Sequence, residues 1–137
     1  MSRRVASLCA IILATSLAAC NSQNASDRAA VNTSATATQQ PAPPPAFAQC
    51  RACHSPEPGR NGVGPSLAGV FGSKAATVPG YSFSPAMQRS GLTWDVVTLD
   101  RYLKAPRQVV PGTRMSFPGI QDDAQRAAVI AYLKALR

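Results

Sequence analysis

Three regimes of hydrophobic patterning follow one another along the chain. Val5 to Leu17 is a mostly apolar run without a period, and residues 21–46 carry almost no large apolar side chains. From Phe47 onward apolar positions return at helical spacings. Thr93 to Ala105 sets Val96, Leu99, Tyr102 and Leu103 at i, i+3, i+6 and i+7, which predicts one buried helical face ended by Pro106. A last helix is predicted to start at Asp122, with Gln125 at the spacing of a capping box. Ala128, Val129, Tyr132, Leu133 and Leu136 form its buried stripe. Ser84 as cap, Pro85 at the first position and Gly91 at the end mark a short helix. A first helix of about three turns should open near Pro45, where proline suits the first turn, and run to His54. Residues 59–72 and 106–120 hold glycines and prolines without a period and read as loop.

The first two regimes lie outside any fold. Arg3 and Arg4 precede an apolar core too short for a good membrane span, so residues 1–19 read as a signal peptide. Leu17-Ala18-Ala19-Cys20 resembles a bacterial lipobox, in which cleavage exposes a cysteine that then carries lipid. The alternative is an ordinary cleavage after small residues, with Cys20 incidental. Residues 20–45 read as a lipid-anchored, disordered, proline-rich tether, because so little apolar surface cannot offset ordering entropy. A flexible chain of that length spans about 28 Å on average. Residues 46–137 remain as the folded domain, small enough to gain from a covalent cofactor in its core.

The chemistry centres on Cys50-Arg51-Ala52-Cys53-His54. C-x-x-C-H is the attachment signature of a c-type haem. On a helix, positions i, i+3 and i+4 share a face, so two sulfurs can meet the edge of a flat macrocycle while the imidazole meets its metal. A dithiol redox motif can read the same way but belongs near a βαβ pattern, and none surrounds this one. A structural zinc site needs a fourth ligand that the motif does not supply. His54 is the only histidine, so a second axial ligand must be methionine, a weaker group, or nothing. Met87 sits on a predicted helix and reads as core filler; Met115 sits in a loop able to carry its sulfur to a metal.

With these motifs stand Phe47 to His54, Gly64-Pro65-Ser66-Leu67, Val70-Phe71-Gly72, Gly91-Leu92-Thr93-Trp94, Tyr102-Leu103 and Pro111-Gly112-Thr113-Arg114-Met115. In that order, before a terminal amphipathic helix, they resemble the class I c-type cytochromes over nearly all of residues 46–137. The resemblance implies an all-α fold: three main helices plus short helices and loops wrapped around one covalent haem. It implies thioether attachment at Cys50 and Cys53 and axial ligation by His54 and Met115. The Pro65 carbonyl would accept the second ring N–H of His54, the Tyr102 hydroxyl would approach the Met115 sulfur, and Trp94 and Thr113 would face a haem propionate. Ser73 and Phe83 depart from the family, standing where many relatives place an arginine and a tyrosine, so the propionate should have fewer donors and a raised pKa. Arg114 replaces a lysine able to displace the methionine in alkali, and arginine does not deprotonate in proteins.

Charge then narrows the partners. The chain is +8 overall, and residues 46–137 hold eleven Arg or Lys against five Asp or Glu. The basic residues are scattered, without a cluster or an aromatic platform, which argues against nucleic acid. Arg51, Lys74, Arg89, Lys104, Arg107 and Arg114 are candidates for a face that steers acidic redox proteins. The expected function is single-electron transfer by a monomer that is not an enzyme. It is exported to the periplasmic side of a bacterial membrane and held there by lipid on Cys20, or soluble in the periplasm. A five-coordinate haem that binds gas or acts as a sensor or small peroxidase is the alternative, as is a haem subunit of a dehydrogenase or oxidase complex.

Overall fold

The computed structural model describes residues 40–137; the stretch expected to be a signal peptide, Cys20 and the expected tether as far as residue 39 lie outside the described residues. Gln40 to Pro44 have no regular structure. A 3-10 turn at Pro45–Phe47 leads into α1 (Ala48–Arg51), followed by α2 (Pro85–Gln88), α3 (Val96–Lys104), α4 (Pro106–Val109) and α5 (Asp123–Ala135). No strand occurs among the described residues, only a single bridge between Lys74 and Thr93. The fold is all-α.

Local chemistry sets the ends of these helices. Ser84 Oγ accepts from the Met87 amide at 3.1 Å, Asp95 Oδ1 from Thr98 at 2.7 Å and Asp122 Oδ1 from Gln125 at 2.8 Å. Each satisfies an amide that has no partner within its helix. α3 therefore starts three residues later than the periodicity predicts. Thr93 is taken by its bridge to Lys74, the Trp94 amide donates to Ser73, and Asp95 is the cap. That start leaves Val96 51 % exposed, off the buried face on which the pattern had set it. The first helix is also shorter than expected, seven residues from Pro45 to Arg51 rather than three turns. Part of the span predicted as loop, 106–120, is helical, because Pro106 opens α4 at a position that needs no amide donor.

Packing joins α5 to α3 and to the N-terminal turn. Phe47, fully buried, meets Tyr132 edge-on with centroids 4.5 Å apart. The buried face of α5 is Arg126, Val129, Ile130, Tyr132 and Leu133, with Leu136 just beyond its end. Ala128 belongs to the exposed side, a correction to the stripe read from the sequence. Methyl groups alone do not fix a helix's rotation; the large side chains do. Met87 is buried in the core.

One backbone position is strained. Ala76 has φ of 63°, in the left-handed region, which costs a residue with a Cβ roughly 1–2 kcal/mol. Glycine's larger entropy in the unfolded chain returns part of that, so Ala76→Gly should stabilise the domain by about 0.5–1 kcal/mol. Denaturant unfolding checks it, as a higher midpoint at unchanged slope.

Candidate functional site

The C-x-x-C-H segment straddles the end of α1. The Cys53 and His54 amides both donate to the Cys50 carbonyl, at 3.1 and 2.9 Å, so the chain keeps turning past Arg51. Among the described residues neither sulfur joins a disulfide; Cys50 is half-buried and Cys53 exposed. Burial pushes the Cys50 thiol up, keeping it protonated and neutral at ordinary pH.

His54 is fixed by the loop that follows. Its Nδ1 lies 2.7 Å from the Pro65 carbonyl oxygen, which can only accept, so Nδ1 carries the proton and Nε2 keeps its lone pair for a metal. Burial holds the imidazole below its ordinary pKa, with the Pro65 bond opposing in part. The neutral ring is the form a metal needs. Gly64 makes the approach possible: a Cβ there would stand 2.3 Å from His54 Cε1 and 2.6 Å from Nδ1. The loop is pinned by polar contacts between residues separated in the chain, which no motif pairs. Asn61 accepts from the Ser66 amide at 2.9 Å and donates to the Pro79 carbonyl at 3.0 Å. Ser66 Oγ donates to Glu57 at 2.6 Å, and the Tyr81 hydroxyl to Val63 at 2.7 Å.

A second cluster gathers around Met115, half-buried in the loop between α4 and α5. The Tyr102 hydroxyl lies 3.7 Å from the Met115 sulfur and 3.3 Å from Thr113 Oγ1, and Thr113 Oγ1 accepts from the Met115 amide at 3.3 Å. Burial pushes the Tyr102 phenol up, so it stays a neutral donor. Trp94 reaches the cluster through its ring, tilted by 54° on Tyr102 with centroids 4.8 Å apart. The structure thus brings Cys50, Cys53, His54 and Pro65 into one group, and Trp94, Tyr102, Thr113 and Met115 into another.

This donor set fits a haem c. Two thiols and an imidazole with one free nitrogen follow each other at the end of a helix, and a thioether sulfur is held under a phenol donor. Leu67, Phe71, Phe83, Leu92 and Phe117 are only partly covered while packed on the core, as walls of a site for a flat apolar ring would be. Among the described residues no cluster of three or more His, Cys, Asp or Glu could hold a bare metal ion, so the zinc reading lacks its ligands. At the positions that depart from the family, the Ser73 hydroxyl donates to the Val70 carbonyl at 2.8 Å, and Phe83 packs edge-on against Tyr81 at 4.8 Å. The six basic residues proposed for steering are all exposed, and among the described residues only Arg60 and Arg126 form ion pairs.

Comparison with known proteins agrees with this chemistry. Residues 45–137 match the family described as cytochrome c. The chain is 59 % identical to cytochrome c2 iso-2 of Magnetospirillum fulvum over 93 residues, covering 68 % of this chain and 97 % of that protein. Identity to cytochrome c2 of Rhodomicrobium vannielii is 52 % over 88 residues, 64 % of this chain and 70 % of that one. Among solved structures, cytochrome cH from Methylobacterium extorquens superposes with a TM-score of 0.62 at 52 % identity, covering 65 % of this chain and 90 % of that one. With the family matched across the whole folded region and the thiol–imidazole segment in place, this chain belongs to the cytochrome c family, an electron carrier rather than an enzyme, with one covalently bound haem c.

Proposed function

We propose that this protein passes single electrons between redox proteins at the periplasmic side of a bacterial membrane. Cys50 and Cys53 would hold the haem through thioether links, and His54 and Met115 would supply the protein ligands to its iron. The observation that carries the reading is the Met115 sulfur beneath the Tyr102 hydroxyl. A thioether held there, with a locked imidazole as the other ligand, leaves no position for a substrate. When bound, the haem supplies one-electron chemistry, and a methionine ligand raises its potential. The chain's own part is to keep that environment unchanged between oxidation states. Pro65 fixes the His54 tautomer, Thr113 and Tyr102 hold Met115, and the partly covered apolar walls exclude water.

Absorption spectra of the exported protein in both oxidation states test this. A low-spin ferrous form slow to bind carbon monoxide, and a ferric form with the far-red methionine–iron band, are expected. A high-spin ferrous form that binds carbon monoxide rapidly would instead establish the five-coordinate gas-binding reading. The signal segment and the lipobox at Cys20 support a lipid anchor and residues 1–45 as leader and tether. Mass spectrometry of Cys20 distinguishes that from a soluble periplasmic form.

The six exposed cations, which form no ion pair among the described residues, support a partner with an acidic docking face. Reduction or oxidation rates with such a partner should fall steeply between roughly 0.01 and 0.15 M ionic strength, where the screening length shrinks from about 30 to 8 Å. Stopped-flow rates that stay level across that range would remove electrostatic steering. We further propose that the domain works as a monomer, which sedimentation checks directly.

A further inference from the structure

Among the described residues Arg126 is the one charged side chain buried in the core, 3 % exposed, and no motif in the sequence marks it. Each of its three guanidine nitrogens is occupied. Nε donates to Asp100 Oδ1 of α3 at 2.7 Å, and Nη2 to Asp123 Oδ1 in the first turn of α5 at 2.7 Å. Nη1 donates to the Ile120 carbonyl at 2.8 Å and, at the long limit of 3.4 Å, to that of Gln121. Its two carboxylates are surface groups, 44 % and 82 % exposed, and could be solvated without it. Placing a guanidinium in the core to meet them costs desolvation. What its buried position adds is the reach to the backbone at residues 120 and 121.

That backbone is the far end of the segment that carries Met115. The same end is stitched to α3 by the Ile120 amide donating to Leu103 at 2.8 Å and by Gln121 Nε2 donating to Lys104 at 3.1 Å. The near end is held by the Val110 amide on Pro106 and the Thr113 amide on Val110. From Ser116 to Gly119 the chain makes no hydrogen bond among the described residues. Beyond its own contacts with Tyr102 and Thr113, the Met115 sulfur is therefore placed by how firmly the two ends are gripped.

We propose that Arg126 is a positioning residue for the sixth ligand: its planar fork clamps the end of the Met115 loop to α3 and α5 and keeps the loop closed. The proposal rests on Met115 being that ligand. A lysine would keep the charge but offer a single nitrogen, unable to serve α3, α5 and the loop end together.

The experiment uses ferric holoprotein and the binding of free imidazole, which takes the sixth position only when the Met115 loop opens. Apparent affinity then scales with the open fraction. Removing a charge-assisted bond to a buried carbonyl in Arg126→Gln should raise imidazole affinity about tenfold or more, with Arg126→Lys in between. Val129→Ala is the comparison, because Val129 is fully buried in the same helix and carries no contact to the loop end in hydrogen bonding. It should lower global stability yet leave imidazole affinity within about twofold. Equal gains in affinity for Arg126→Gln and Val129→Ala at equal loss of global stability would overturn the proposal and leave Arg126 as a plain structural ion pair. If Arg126→Gln yields no folded holoprotein, Asp100→Asn and Asp123→Asn replace it. Each changes an exposed carboxylate and should raise affinity about threefold, and no rise in either overturns the clamp. A wild-type protein without the far-red methionine band sinks the ligand assignment itself, and the clamp with it; a band present with affinities unmoved sinks only the clamp.

Discussion

Replacing Gly64 by alanine should cost the holoprotein about 3 kcal/mol, as strain from overpacking added to a lost hydrogen bond. A methyl at this position would stand 2.3 Å from the His54 ring, well inside contact distance. The backbone there cannot yield easily, because the Gly64 amide is bound to the Cys53 carbonyl and its own carbonyl accepts from Gly62, both at 2.9 Å. The imidazole must turn away and release the Pro65 carbonyl. Thermal unfolding should show it as a midpoint lowered by roughly 12–24 °C for a domain of this size. The spectrum should report weakened histidine ligation in the fraction that matures. A Gly64→Ala protein with wild-type melting temperature and spectrum would mean that the ring has room the structure denies it.

The second large effect is expected at Gly119. It has φ of 104°, and a Cβ built there would lie 2.0 Å from the Lys104 carbonyl oxygen and 2.8 Å from its carbon. Both neighbours are backbone in the last turn of α3, which does not swing aside as a side chain does. Gly119→Ala should therefore lose about 3–4 kcal/mol by detaching the end of the Met115 loop from α3. The loss should be local first. Far-red methionine absorption is expected to vanish at a lower denaturant concentration than Trp94 fluorescence changes, whereas the wild type should show the two together. Coincident transitions in the variant would mean that the loop end and the core unfold as one unit.

Where the sequence was legible, the signal was local chemistry at fixed spacing. Capping by Ser84 and Asp122, the attachment segment and the apolar character of α3 and α5 are all decided within one or two turns of chain. The misplaced features depend on distant partners. α3 begins late because Thr93 pairs with Lys74, nineteen positions earlier. Periodicity alone puts Ala128 and Val96 on buried faces, because a repeat of apolar letters does not record how large each residue is or which neighbour it meets. Asn61, Tyr81 and Arg126 escaped notice for a related reason. Each acts through a backbone carbonyl remote from or hidden to any motif, and a carbonyl has no letter in the sequence. Gly64 stands inside a family motif, but its purpose emerges only when the His54 ring is placed against it. The candidate ligand residues themselves were readable because their chemistry restricts their identity, whereas the residues that hold them are restricted only by shape.

The brevity of the N-terminal helical segment has a mechanical corollary. Between the coil before Pro45 and the first attachment cysteine, the only large anchor is the ring of Phe47, lodged against Tyr132. Fraying that begins at this end has one aromatic contact to undo and then, three residues on, meets a segment covalently joined to the macrocycle, which cannot slip. Tension arriving along the chain would thus be borne by a chemical bond rather than by a helix interface, and the rest of the domain need not loosen when the N-terminal turn does.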